Sequence, residues 1–281
     1  MSFFWSRFKK DRLALFNYFF KHTLFLVSSL FLLHHFDIGF TALLPVGALY
    51  FVVPLSICVG LKITTWMHNC MHYNYKHGNQ ILGELSSFYA LMSFGIISNL
   101  HVLHHSYPDT EQDPHNPEGL SFVNLFFTSQ FRGVQIIENK FYEFHGRTPT
   151  NFLIFKTNIF MHFLGNVLRL AIWYQLMGTL FYSMYLPGLL AYLFVFNHLN
   201  FATHITDKNG NVQVLNIDSN LYYKTMNWIC EGLYFHHNHH IYPRRTNPSR
   251  PSGLELRNRR NSAFAVRISD SQRNNSRVGV R

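Results

Sequence analysis

The run from Phe40 to Leu61 (FTALLPVGALYFVVPLSICVGL) contains no charged residue. A bilayer span needs about 20 mostly apolar residues, so this segment is long and apolar enough to cross a membrane. Three other segments have a similar character. Residues 15–34 qualify if Lys21 and His22 lie near the interface, 158–178 carry one costly side chain, Arg169, and 179–199 follow directly. Pro54 and Pro187 are compatible with membrane helices, whose neighbours satisfy the freed backbone groups. Residues 81–98 are almost as apolar, but a fifth crossing would export a tail holding twelve Lys and Arg. That outcome violates the positive-inside rule, so this stretch reads as a re-entrant or interfacial hairpin.

Charge placement gives the orientation. Arg7, Lys9, Lys10 and Arg12 precede the first span, the links around 35–39 and 185–187 carry no Lys or Arg, and 62–156 carries six. Both ends of a four-span chain would therefore face the cytoplasm. The expected organisation is a cytoplasmic arm over 1–14, a membrane domain over 15–245 and a basic, unstructured tail over 246–281. The expected fold class is an all-α integral membrane protein with a cytoplasmic helical cap. Only 14% of residues are charged, against roughly 25% in a soluble domain. Three widely spaced cysteines offer no disulfide framework. There is no cleavable signal, internal repeat or phosphate-binding glycine loop, and the positive charge is split between the termini, which disfavours a nucleic-acid role.

The histidines carry the chemistry. His68-Asn-Cys-Met-His72 follows the second span, His101-Val-Leu-His104-His105 follows the hairpin, and His236-His237-Asn-His239-His240 follows the fourth span. Helical residues three and four apart share a face. His68 thus converges with His72, His101 with His104 and His105, and His236 with His239 and His240. Neutral imidazole is the commonest protein metal ligand, and these eight exceed the four that one tetrahedral zinc takes. Two metals is the natural count. No Asp or Glu lies within a cluster, so the site is nearly all nitrogen. His22, His34, His35 and His162 read as packed residues, and His77 and His145 as solvated ones. Tyr107, Asp109, Glu111 and Asp113 either shape an entrance or form a solvated acidic loop.

The order HNCMH, HVLHH, HHNHH resembles the integral-membrane fatty acid desaturases, whose boxes read HxxxH, HxxHH and HxxHH. Asp113-Pro114-His115-Asn116-Pro117 looks like that family's DPHN segment, and Asn200-Phe-Ala-Thr-His204 is similar to its NxxxH element. The resemblance spans roughly residues 40–245. It implies nine iron ligands: His68, His72, His101, His104, His105, His204, His236, His239 and His240, with Asn200 acting through a water. His204 comes from the resemblance alone. His198 and His237 are then candidates for positions just behind the ligands, and Asp113, His115 and Asn116 for the substrate entrance. The implied cofactors are two iron ions with O2 as co-substrate. The implied reaction is desaturation of a long-chain acyl group carried on CoA or lipid. Without a haem signature, electrons must come from a separate donor, cytochrome b5-like or ferredoxin-like. The implied setting is the bacterial inner membrane or the endoplasmic reticulum. A di-iron hydroxylase or ketolase acting on a lipid, sterol or carotenoid would use the same boxes, and a non-enzymatic metal-binding membrane protein is a third, more remote reading.

Overall fold

The computed structural model describes residues 3–39, 45–206 and 212–249. Most of the proposed tail, 250–281, and the first residues of the 40–61 run lie outside them. The described chain is mainly helical. Helix α1 (Phe3–Lys10) and α2 (Ala14–His35) lead, through a short 3-10 turn, to α3 (Leu49–Met71). Next come α4 (Asn79–Tyr89), α5 (Phe94–Ser106), α6 (Phe122–His145) and α7 (Pro149–Met177). A π-helical turn (Phe181–Tyr185) runs into α8 (Leu186–Thr203), and α9 (Leu221–Ile229) and α10 (His236–Ile241) close the described chain.

Two helices, α2 and the stretch Val46–Met71, are long and apolar enough to cross a membrane alone. Two further pairs qualify only together, α4 with α5, bent by 102°, and α7 with the stretch Phe181–Thr203, bent by 117°. The described residues therefore hold two to four candidate spans. The hairpin expected over 81–98 corresponds to the α4–α5 break, where Leu91 takes a positive φ of 54°. With 11 and 13 residues, α4 and α5 are about 17 and 20 Å long, short of the roughly 30 Å hydrocarbon core. The segment expected over 158–178 is the C-terminal part of a longer helix. Thr148 caps its start by accepting from Asn151 N–H, and Pro149 occupies the first turn, where a missing N–H costs nothing.

Close packing of α3 on α8 fixes the stalk. A Cβ on Gly60 would collide with the Gly188 carbonyl, and one on Gly188 with the Tyr89 hydroxyl and the Ser56 carbonyl. Ser56 Oγ in turn donates to the Met184 carbonyl, inside the π-helical turn. Buried Met67, Tyr89, Tyr185 and Tyr192 fill the space between α3, the hairpin and α8. On the other side α1 is packed rather than loose. Trp5 and Phe8 are buried among Ile137, Phe141 and Phe155 from α6 and α7, and His145, expected in solvent, binds the Phe8 carbonyl at 2.9 Å. His34 and His35 are exposed at the end of α2 rather than packed.

The all-α expectation needs one correction. Strands β1 (His204–Thr206) and β2 (Val212–Val214) pair antiparallel, with His204 opposite Val214. The β-branched residues on either side of Asn209-Gly210 are the hairpin signal in the sequence. The short ladder sets the direction of the chain as it leaves α8.

Candidate metal centre

The three histidine clusters converge. Helix α3 continues past its apolar part and ends at Met71, so His68 lies in its last turn and His72 caps it. His101, His104 and His105 occupy the last turns of α5, and α10 carries the third cluster. Their nitrogens form two sets. His68, His72, His101 and His239 make one, and His104, His204, His236 and His240 the other, with the donor atoms of each set within 4.8 Å of one another.

The division crosses the helices. α5 sends His101 to the first set and His104 to the second, while α10 sends His239 to the first and His236 and His240 to the second. Each of these helices therefore serves both sets instead of presenting one shared face. His105 lies between them. Its Nε2 is 3.2 Å from His101 Nε2 and 3.0 Å from His239 Nε2, and its ring centroid is 4.4 Å from that of His240.

The donor chemistry fits bound cations. His72 and His101 approach Nε2 to Nε2 at 2.6 Å, and His236 and His240 at 3.2 Å. Nε2 of His68, His104 and His204 are buried without a hydrogen-bond partner among the described residues. Burial normally forbids unsatisfied polar atoms, and converging lone pairs repel unless a cation shares them. Burial, reinforced by neighbouring imidazoles, also holds His72, His236, His239 and His240 well below the usual histidine pKa. Neutral rings are the ligating form.

Two buried carboxylates orient the second set. His104 Nδ1 donates to both oxygens of Asp113 at 3.0 Å, and His204 Nδ1 donates to Asp109 Oδ2 at 2.8 Å. A carboxylate on the far nitrogen fixes the tautomer and turns the Nε2 lone pair toward the metal. Asp113 also accepts the backbone N–H groups of Asp109 and His115, which winds residues 109–115 into a tight loop with Asp109 at a φ of 56°. Burial pushes the Asp113 carboxyl upward, and those backbone donors oppose the shift.

Much of the loop is buried rather than solvated. Asp113 is 0% exposed, and His115 and Asn116 are also buried, so these three line the interior. His115 packs between His104 and Phe196, and burial pulls its pKa to about 3. Asn116 holds the loop through the Thr110 carbonyl and the Glu118 N–H. Tyr107 and Glu111 remain at the surface. The roles of Asp109 and Asp113 in orienting histidines go beyond what the sequence pattern assigns to them. The available signal was two acids four residues apart, close behind the second box, in a chain with few carboxylates.

The remaining candidates lie as follows. Asn200 is buried one turn before His204, its amide donating to the Phe196 carbonyl. His198 binds the Tyr234 hydroxyl at 2.7 Å and stacks on Phe194, and none of its ring contacts is with a cluster histidine. His237 interacts with the Val214 backbone and belongs to neither set.

A family model described as fatty acid desaturase matches residues 41–251. The chain belongs to the fatty acid desaturase family. The matched region of this desaturase-family protein contains every member of both nitrogen sets, together with Asp109 and Asp113. No curated protein and no solved structure gave a significant match.

Proposed function

We propose that this protein is an oxygen-dependent desaturase of long-chain acyl groups, carried on CoA or lipid, and that the two nitrogen sets hold two iron ions. The observation that carries this reading is the gathering of eight histidines from α3, α5, β1 and α10 into two adjacent four-nitrogen groups, with His105 between them. Removing hydrogen from an unactivated methylene is beyond side-chain acids and bases, and bound iron with O2 supplies that chemistry.

The chain's own part is preparation of the site. His68, His72, His101 and His239 would hold one ion, and His104, His204, His236 and His240 the other. His105 is placed to serve either, and Asn200 would act through a water. Asp109 and Asp113 keep the Nδ1 protons of His204 and His104 pointed away from the metals. Burial of the rings keeps them neutral and limits water, so that oxidising equivalents are spent on the substrate. The reading includes four spans, with both termini and the metal site in the cytoplasm, and a separate cytochrome b5-like or ferredoxin-like electron donor.

Expression in a host of simple lipid content, followed by mass spectrometry of its fatty acids, tests this reading. A new double bond supports it. Hydroxylated or oxidised lipid would assign the site to a hydroxylase or ketolase, and an unchanged profile with an active donor present would contradict an acyl-oxidising role.

A further inference from the structure

Arg169 is the charged side chain of the apolar 158–178 segment. It is 4% exposed. Its Nη1 donates to Asn166 Oδ1 at 2.7 Å, its Nε is buried with no partner, and among the described residues no carboxylate forms a salt bridge with it. The nearby acid, Glu84, is already engaged by the Tyr18 hydroxyl at 2.9 Å and by His22 Nε2 at 3.2 Å. A buried cation at membrane depth is costly, and such residues mark partners or functional sites.

Arg169 lines a cleft of about 480 Å³ between α2, α4 and α7, a size typical of sites for small organic ligands. Phe25, Leu26, Leu85 and Phe88 form its apolar walls, and Lys21, His22 and Glu84 its polar part. Phe25, Ile81 and Leu85 are 65%, 70% and 62% exposed, so the cleft opens sideways, where a span meets lipid. Lys21 is exposed at the polar end and has no ion-pair partner among the described residues. A second hollow of about 210 Å³ adjoins it there, sharing Lys21, His22 and Gln80 and adding Arg7. No histidine of the two nitrogen sets lines either hollow. A positively charged occupant would be repelled by Lys21, Arg169 and Arg7. An acyl chain with a negative headgroup matches both the walls and the charge.

We propose that this cleft binds one anionic phospholipid, with an acyl chain against Phe25, Leu26, Leu85 and Phe88 and the phosphate held by Lys21 and Arg169. The lipid would tie α2 and α7 to α4, the first arm of the hairpin whose second arm carries His101, His104 and His105. The site is separate from the metal centre and does not depend on the reaction catalysed there.

The test uses the full-length protein reconstituted in nanodiscs of phosphatidylcholine and phosphatidylglycerol in equal amounts. After re-extraction into mild detergent, retained lipids are quantified by mass spectrometry alongside iron. The expected result is retained phosphatidylglycerol several-fold above its share of the bilayer, with Lys21→Glu returning the ratio to the bilayer value at unchanged iron content. Arg169→Gln should do the same. If that buried variant fails to fold, Lys21→Glu and Lys21→Ala, at an exposed position, still decide the matter. Equal retention of both lipids by the wild type, or full enrichment in Lys21→Glu, would overturn the proposal.

Discussion

His204 Nδ1 donates to Asp109 Oδ2 at 2.8 Å across 95 residues of chain, and both side chains are buried. The contact joins the start of β1 to the loop behind α5, so it locks together two elements that each deliver a histidine to the same nitrogen set. Asp109→Ala should therefore lower metal affinity or turnover by about 10- to 100-fold, the usual cost of losing such a partner. Asp109→Asn retains an acceptor oxygen and should lose less. Iron content and product formation, measured in parallel on membranes holding equal protein, check the order.

His204→Ala removes a ligating nitrogen itself and should abolish product formation while the protein stays in the membrane. His198→Ala, whose ring is held by Tyr234 and Phe194, should retain measurable turnover, as should His237→Ala. His34→Ala and His35→Ala, both exposed at the far end of α2, should match the wild type. Full activity in His204→Ala beside a dead His198→Ala would move the ninth ligand to His198.

What was legible in the chain follows from how local each signal is. The box histidines stand three and four residues apart, a spacing that announces a shared helix face. The sequence does not say which neighbour each face will meet, so the sharing of α5 and α10 between two sets appears only in three dimensions. Asp109 and Asp113 look like a solvated acidic loop because their partners are reached by tertiary folding. The β1–β2 hairpin left a readable trace in Asn209-Gly210, which the strong helical pattern around it overshadowed. The N-terminal part of α7 is not legible from hydropathy, because it is held by tertiary contacts: Phe155 packs on Phe141 and Tyr142 of α6, and Asn151 donates to the His145 and Gly146 carbonyls.

A pH effect follows from the buried rings. In the unfolded chain His115 takes up a proton near pH 6.5, whereas burial holds it to about 3 in the folded protein. Its contribution to stability is present in full above about 6.5. As the pH falls from there toward the folded value, the unfolded state binds more protons and stability declines, by up to ~1.4 kcal/mol per pH unit for each such histidine. Thermal melts of metal-free protein between pH 7.5 and 5 should show the midpoint falling with pH, less steeply in His115→Phe. Identical slopes in the two proteins would contradict the assignment.

The α3–α8 crossing sets a packing limit. Gly60→Ala places a methyl group against the Gly188 carbonyl, whereas Gly47→Ala meets nothing within 4 Å. Overpacking of this kind costs typically ~1–3 kcal/mol, and more where backbone must move. Gly60→Ala should lower the melting temperature and the yield of folded protein, with Gly47→Ala close to wild type.

The cluster nitrogens fall into two adjacent four-nitrogen sets rather than one. Metal per chain, determined by elemental analysis after anaerobic loading with ferrous iron and removal of loosely bound ions, tests most directly whether each set binds a metal. Two nitrogen sets should hold about two irons per chain. His204→Ala should fall toward one, because it breaks only the second set. Zinc in both positions after overexpression would agree with the geometry, since divalent metals compete by availability as well as affinity. A reproducible single metal per chain, unchanged in His204→Ala, would contradict the two-site centre.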